Sequence, residues 1–507
     1  MAIESTPASN ERREHVVLLA SPGAGHVMPV AELARRIVEH GGFTLTIITY
    51  TNFSSAEHSS TFASLPPSVS TAVLPEVPLD DLHADARVET RIFTVVRRAL
   101  PHLRDLLRSL LASPAGVAVF VADLLSPRAL AVAAELGIPR YVFFTSNLMC
   151  LSTLLYTPEL ARTTSCDCRD LPDPILLPGC VPLHGAHLAD PVQDRANPVY
   201  PLMIDLGLDY LRADGFLVNT FDAMEHETLV AFKELSDKGV YPPAYAIGPF
   251  VRSCTGDAAN DACIRWLDDQ PDGSVVYVCL GSGGTLSVAQ TAEMAAGLEA
   301  SGQRFLWVVR FPSDKDNCAS FFGGSGGDGG DSPMNYLPEG FLERTKGTGL
   351  TVPMWAPQVE ILNHRAVGGF VSHCGWNSTL EAVAAGVPML TWPLYAEQRM
   401  NAAMLSSRVG LALRVRPGTS REGDGVVTRD EVAAAARELI SGKKGASARA
   451  KARELRVAAA NAMRAPGGRS REAFDAVVAG AWKGRSSSAR VGYAAETDNG
   501  STATAAE

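Results

Sequence analysis

Short runs of Val, Ile, Leu and Phe recur along the chain, separated by segments in which apolar residues return at helical spacing. Continuous apolar runs of this length suit strands buried on both faces of a parallel sheet. In the first half they are HVVLLAS (His15–Ser21), TLTIITY (Thr44–Tyr50), VAVFVAD (Val117–Asp123), YVFFTS (Tyr141–Ser146) and GFLVNT (Gly215–Thr220). The second half repeats the pattern in SVVYVCL (Ser274–Leu280), RFLWVVR (Arg304–Arg310), GLTVPMWA (Gly349–Ala356), GGFVSH (Gly368–His373) and PMLTWPL (Pro388–Leu394). Between them lie amphipathic segments such as VAELARRIVEHGG, closed by glycine, and TRDEVAAAARELISGKKG, which Thr428 is placed to cap.

Alternating strands and helices predict an α/β protein, and two such series predict two doubly wound domains. The expected division is residues 15–250 and 251–466, with the join near Ala246–Phe250 and the polar stretch Arg252–Ala262. Residues 1–14 read as a flexible leader and 484–507 as a disordered tail; Phe311–Tyr336, with GGSGGDGGDSP inside it, reads as a Gly-rich insertion. Ligands of open parallel sheets bind beyond the carboxyl ends of the strands, so two facing sheets predict a cleft that holds the chemistry.

Composition narrows the function. The chain has 507 residues, 46% hydrophobic and 20% charged, and 45 basic against 55 acidic residues give a formal charge of −10. That balance fits a folded protein and argues against gripping nucleic acid phosphates. The polar start reads as neither signal peptide nor anchor, and the longest apolar region, Val117–Ile138, is broken by Asp123, Arg128 and Glu135, so no membrane-spanning segment is expected. Nine scattered cysteines form no paired CxxC framework, and Cys166 and Cys168 lack further ligands nearby. Reduced thiols, a cytoplasmic setting and no metal site are the expectation.

The stretch WAPQVEILNHRAVGGFVSHCGWNSTLEAVAAGVPMLTWPLYAEQ, Trp355–Gln398, spans three strand ends. His373, Gly375, Asn377 and Ser378 fall at a strand-to-helix junction, where unpaired backbone N–H groups and the helix dipole attract phosphate. Glu381 follows on the same helical face and can accept hydrogen bonds from a ribose diol. Trp355 offers a flat surface for a base, and Glu397 and Gln398 suit sugar hydroxyls. Taken singly, each has a structural explanation: Trp355 as core, His373 as a satisfied buried histidine, Glu397 as a solvated cap.

Together the stretch resembles the signature box of the plant secondary-product glycosyltransferases, the family 1 UDP-glycosyltransferases. The resemblance extends from SPGAGH through GSGGTLS to YAEQRMNA; LLPGCVPLHG and NTFDAMEHETLVAF make it most similar to the hydroquinone (arbutin synthase-like) glucosyltransferases. It implies a GT-B fold, two facing Rossmann-like domains with a closing helix over residues 467–483 that packs back on the first. It implies that Trp355 stacks on uracil, Ala356 and Gln358 contact uridine, and Glu381 holds the ribose. His373, Gly375, Asn377 and Ser378, with Ser282 and Gly283, would bind the diphosphate; Trp376, Tyr395, Glu397 and Gln398 would face the sugar, and Ser21 would join the donor contacts. Leu280 stands where the family pattern has Phe, an apolar exchange. The implied reaction is inverting transfer of glucose from UDP-glucose to a small phenol or phenylpropanoid, with no cofactor beyond that co-substrate and a monomeric enzyme. Phe144, Ser146, Asn147 and Met149 are candidates for the acceptor pocket.

SPGAGHVMP follows the first strand and can aim His26 into the cleft, where a base near neutral pH would activate a hydroxyl. Asp123 closes a strand able to lie beside the first and would fix the imidazole. The structural alternatives are a turn histidine and a helix-capping aspartate; the family's base and supporting acid fall on these two positions. Two rivals remain. A dinucleotide-dependent oxidoreductase would need a third glycine where Met28 stands after Gly23 and Gly25, and an acidic end to TLTIITY. A non-catalytic UDP-sugar sensor would keep the donor box without the base. Asp314 and Asp316 spell DxD, a metal–diphosphate motif of another fold, but they lie in the Gly-rich insertion and are set aside.

Overall fold

The computed structural model describes residues 13–53, 61–83, 86–252, 261–315, 317, 332–415, 425–464 and 466–482. The leader up to residue 12, most of the Gly-rich insertion including Asp316, residues 253–260 of the join and the tail therefore lie outside the described residues.

Seven parallel strands form the first sheet: β1 (Glu14–Leu19), β2 (Phe43–Tyr50), β3 (Val69–Leu74), β4 (Val119–Asp123), β5 (Arg140–Phe144), β6 (Gly215–Val218) and β7 (Ala244–Ala246), in the order β3-β2-β1-β4-β5-β6-β7. Six form the second: β8 (Val275–Cys279), β9 (Arg304–Val309), β10 (Gly349–Pro353), β11 (Val367–Ser372), β12 (Met389–Thr391) and β13 (Ala412–Arg414), in the order β10-β9-β8-β11-β12-β13. The direction of the order reverses between β1 and β4 in one sheet and between β8 and β11 in the other. These two crevices are where a doubly wound sheet opens to a ligand.

Why the strands read as unbroken apolar runs is visible in β1. Val16 and Leu18 face one buried layer, with Val27, Leu33 and Ile37 of the helix Ala24–His40. Val17 and Leu19 face the opposite layer, with Val95, Leu103 and Leu107 of the helix Val88–Ala112. The same alternation holds in β8, where Val275 and Tyr277 go one way and Val276 and Val278 the other. Both faces are covered, so both sets of side chains must be apolar.

The chain ends its described course on the first sheet. Phe474 of the helix Arg469–Asp475 and, after it, Val477, Val478 and Trp482 are buried with Val16, Phe43 and Tyr141. Trp482 meets Tyr141 edge-on at 5.9 Å between ring centroids, and Arg469 reaches Asp222 at 3.0 Å.

Candidate functional site

At the first crevice, β1 leads through Gly23, at φ 107°, directly into the helix that carries His26 on its first turn. Asp123 is the last residue of the neighbouring β4. His26 Nδ1 and Asp123 Oδ2 lie 2.9 Å apart, with the carboxylate fully buried and the imidazole 15% exposed. They are in ion-pair contact without the aligned geometry of a formed hydrogen bond. Burial works against charging the imidazole, but the Asp123 carboxylate and the charge of Glu397 outweigh it, and the pKa of His26 is raised. Asp123 is held by Leu125 N–H at 3.4 Å and the Thr145 hydroxyl at 3.5 Å. Nδ1 faces the acid, so Nε2 is the nitrogen left for a substrate proton.

Ser21, expected among the donor contacts, is fully buried, and its hydroxyl lies 2.8 Å from that of Ser126, which also meets Tyr50 OH at 3.2 Å. Ser126 sits on the turn that follows Asp123, so Ser21 braces the acid's turn from behind.

At the second crevice, β11 runs through His373 and Cys374 into the helix Trp376–Ala385, whose N-terminus at Gly375 has no side-chain cap. Its first N–H groups lack intrahelical partners. Cys374 adopts φ 66°, a left-handed turn uncommon for a residue with a side chain. The His373 ring is clasped between Gly281 and Gly375: a Cβ on either would collide with Nε2. Burial, then the charge of Arg310, lowers its pKa to about 4, so it is neutral near pH 7. In the loop after β8, Ser282 is exposed and Gly283 buried.

Gln358, Ser378 and Glu381, expected at the uridine, the diphosphate and the ribose respectively, lie together. Gln358 Nε2 donates to Glu381 Oε2 at 2.7 Å and to Ser378 Oγ at 2.9 Å. Burial pushes the Glu381 carboxyl up, while Arg252, 3.4 Å from Oε1, and Gln358 favour its charged form. Trp355, 61% exposed beside the buried Ala356, follows Met354 at φ 64° and presents its ring to solvent. An aromatic face left open beside a polar cluster is suited to a planar base.

On the sugar side, Gln398 Oε1 accepts from Leu394 N–H at 2.9 Å and Tyr395 N–H at 3.0 Å, which fixes the turn carrying Tyr395 and Glu397. Trp376 differs from its expected place. Its indole N–H donates to the Asn219 carbonyl at 2.7 Å and its ring, 3% exposed, is part of the packing between the domains. Asn377 donates to the Gly25 carbonyl at 2.9 Å. Of the acceptor candidates, Phe144 is enclosed against Tyr210 and Met149 is buried in the same cluster, while Ser146 and Asn147 hydrogen-bond across the cleft. Asp314 accepts from Val288 N–H at 3.0 Å, at the start of a helix.

Two charged residues escaped the sequence reading, Arg252 and Arg310. Arg310 follows the last residue of β9 at a carboxyl end, as Asp123 ends β4, and that position was the available signal. Arg252 lay in a stretch whose polarity marked only the join.

The family model described as UDP-glucoronosyl and UDP-glucosyl transferase matches residues 261–444. Hydroquinone glucosyltransferase of Rauvolfia serpentina is 44% identical over 455 residues, 89% of this chain and 95% of that protein. UDP-glycosyltransferase 72B3 of Arabidopsis thaliana is 45% identical over 458 residues, 89% of this chain and 93% of that protein. The chain belongs to the plant family 1 UDP-glycosyltransferases.

The structure of Phytolacca americana UGT2 with UDP-2fluoro-glucose and pterostilbene matches this UDP-glycosyltransferase with a TM-score of 0.82 at 39% identity, covering 92% of this chain and 99% of that one. The glycosyltransferase thus has the GT-B fold. Membership sets aside the oxidoreductase reading. Among the described residues, no helix of the glycosyltransferase is long and apolar enough to cross a membrane.

Proposed function

We propose that this UDP-glycosyltransferase transfers glucose from UDP-glucose to a hydroxyl of a small phenolic acceptor, inverting the anomeric centre to give a β-glucoside. The observation that carries the reading is the contact of His26 with Asp123, at 2.9 Å, opposite a donor cluster built on the other domain. A sensor that only bound UDP-sugar would have no use for a base paired with a buried acid.

The acceptor hydroxyl gives its proton to His26 Nε2, its oxygen forms the bond to the anomeric carbon, and the bond from that carbon to the β-phosphate oxygen breaks. Asp123 stabilises the imidazolium that results. The departing diphosphate takes its stabilisation from the uncapped helix start at Gly375 and from neutral His373, so we infer that the transfer needs no metal. Uracil on Trp355 and the ribose on Glu381 anchor the donor, and the turn holding Glu397 and Gln398 reads the sugar. The phenolic class rests on the 44% identity to a hydroquinone glucosyltransferase. Scattered cysteines without a pairing framework support a cytoplasmic site of action, and a monomer completes the reading.

Purified protein incubated with UDP-glucose and a panel of simple phenols and phenylpropanoid alcohols should yield hexosides by mass spectrometry, with equimolar UDP. Donor binding without UDP release on any acceptor would return the protein to the sensor reading.

A further inference from the structure

Ser146 and Asn147, consecutive residues of the first domain, reach two residues one helical turn apart in the second. Ser146 Oγ donates to Glu397 Oε1 at 3.0 Å, and Asn147 Nδ2 donates to Asn401 Oδ1 at 2.5 Å. Asn401 Nδ2 in turn donates to the carbonyl of Cys374 at 2.9 Å. The direction of this chain of amides is set at its origin, because Asn147 Oδ1 already accepts from Cys150 N–H at 2.8 Å as the cap of the helix Leu148–Thr163. Ser146 is 4% exposed, and Asn147 and Asn401 are fully buried, so these bonds are shielded from competing water.

Each arm ends on a part of the donor site. Glu397 Oε1 is taken by Ser146, while Oε2 takes no bond from the described residues and is the oxygen left for a sugar hydroxyl. Cys374 is the residue held at φ 66° between His373 and Gly375, so anchoring its carbonyl fixes the peptide plane that leads into the uncapped helix start. We infer that Ser146 and Asn147 are positioning residues for the donor, clamped across the cleft from the acceptor domain: Ser146 presents Glu397 to the sugar, and Asn147, through Asn401, shapes the turn that meets the diphosphate. This rests on the donor reading proposed above. It makes donor geometry a property of both domains together, so that sugar recognition depends on a residue outside the donor domain.

The two arms predict different losses. Ser146→Ala frees Glu397 to rotate without touching the nucleotide side. UDP affinity by calorimetry should stay within about twofold, while kcat/KM for UDP-glucose falls about tenfold, the effect of losing a hydrogen bond to a charged group, and the preference over UDP-galactose narrows. Ser146→Thr, which keeps the hydroxyl, should restore both. Asn147→Asp keeps the oxygen that caps the helix but removes the donor facing Asn401, which must turn its amide toward the new carboxylate and release Cys374. Thermal stability should change little, UDP affinity should fall about tenfold, and uridine affinity should hold, because only the diphosphate senses the turn.

Unchanged glucose kinetics in Ser146→Ala, or equal loss of UDP and uridine binding in Asn147→Asp, would overturn the clamp. Asn147→Asp carries the test alone if Ser146→Ala does not fold. Wild-type protein that binds no UDP would overturn the donor reading itself, an outcome distinct from variants that bind as wild type does.

Discussion

Asn377, on the first turn of the donor helix, donates its side-chain amide to the carbonyl of Gly25, the residue before His26, at 2.9 Å. The donor half of the cleft is therefore seated on the turn that carries the base, but through backbone, not through the imidazole. Chemistry and nucleotide binding are thus joined by geometry, and mutation should separate them.

His26→Ala should accordingly remove the base and spare the seat. Turnover should fall about 10² to 10⁴-fold, the usual worth of a positioned general base, while UDP affinity stays within about twofold. Steady-state kinetics beside calorimetry measure the two. A variant that kept most of its turnover on an alcohol acceptor would refute the mechanism with the family membership untouched.

The raised pKa of His26 predicts the shape of the pH profile. The base works only when neutral, so kcat/KM should fall as pH drops through its pKa, with a midpoint above the ordinary histidine value of about 6.5. Asp123→Asn removes the largest influence favouring the imidazolium, so the acid limb should move to lower pH while the plateau rate falls. A limb that stayed in place in Asp123→Asn would mean that another group titrates.

Glu381→Ala should show the reverse bias. Its carboxylate is organised by Gln358 and Arg252, and a hydrogen bond to a charged group contributes about 1.5–3 kcal/mol, so UDP affinity should weaken about 10- to 100-fold. The loss in kcat should be smaller, since the ribose lies away from the reacting atoms. Equal losses of kcat and affinity would place Glu381 nearer the chemistry.

Much of this architecture could be read from apolar runs, and the strands that could not share a cause. β3, β7 and β13 lie at sheet edges. In β3 all of Val69–Leu74 but Leu74 are half-buried or exposed, with Val73 58% exposed, and β7 and β13 have three residues each. These three are too exposed or too short to carry an unbroken apolar run, whereas β10, also at an edge, keeps one in Gly349–Ala356. At the site, residues close in sequence were legible because one junction after β11 gathers them. What depended on the other domain was not: the partners of Ser146, Asn147 and Trp376 lie in distant parts of the chain, and no local pattern records them. Phe144, a candidate for the acceptor pocket by family resemblance, packs edge-on against Tyr210, a contact that no local pattern records.

The last prediction concerns metal removal. A divalent cation on a departing diphosphate neutralises charge and orients its oxygens. Here the N–H groups at the start of the helix Trp376–Ala385 are uncapped, His373 is clasped by two glycines and as a neutral ring keeps one N–H donor, and the Arg310 guanidinium lies close enough to help lower the His373 pKa. Fixed dipoles and a nearby cationic side chain supply the same stabilisation without an ion to be recruited. Asp314, half of the DxD pair, is occupied at the start of the helix Val288–Ser301. Initial rates with UDP-glucose and a phenol should thus be unchanged, within about 20%, after exhaustive treatment with EDTA, and added Mn²⁺ should not raise them. Activity lost on chelation and restored by Mn²⁺ would show that the helix start is insufficient and would bring Asp314 and Asp316 back into the mechanism.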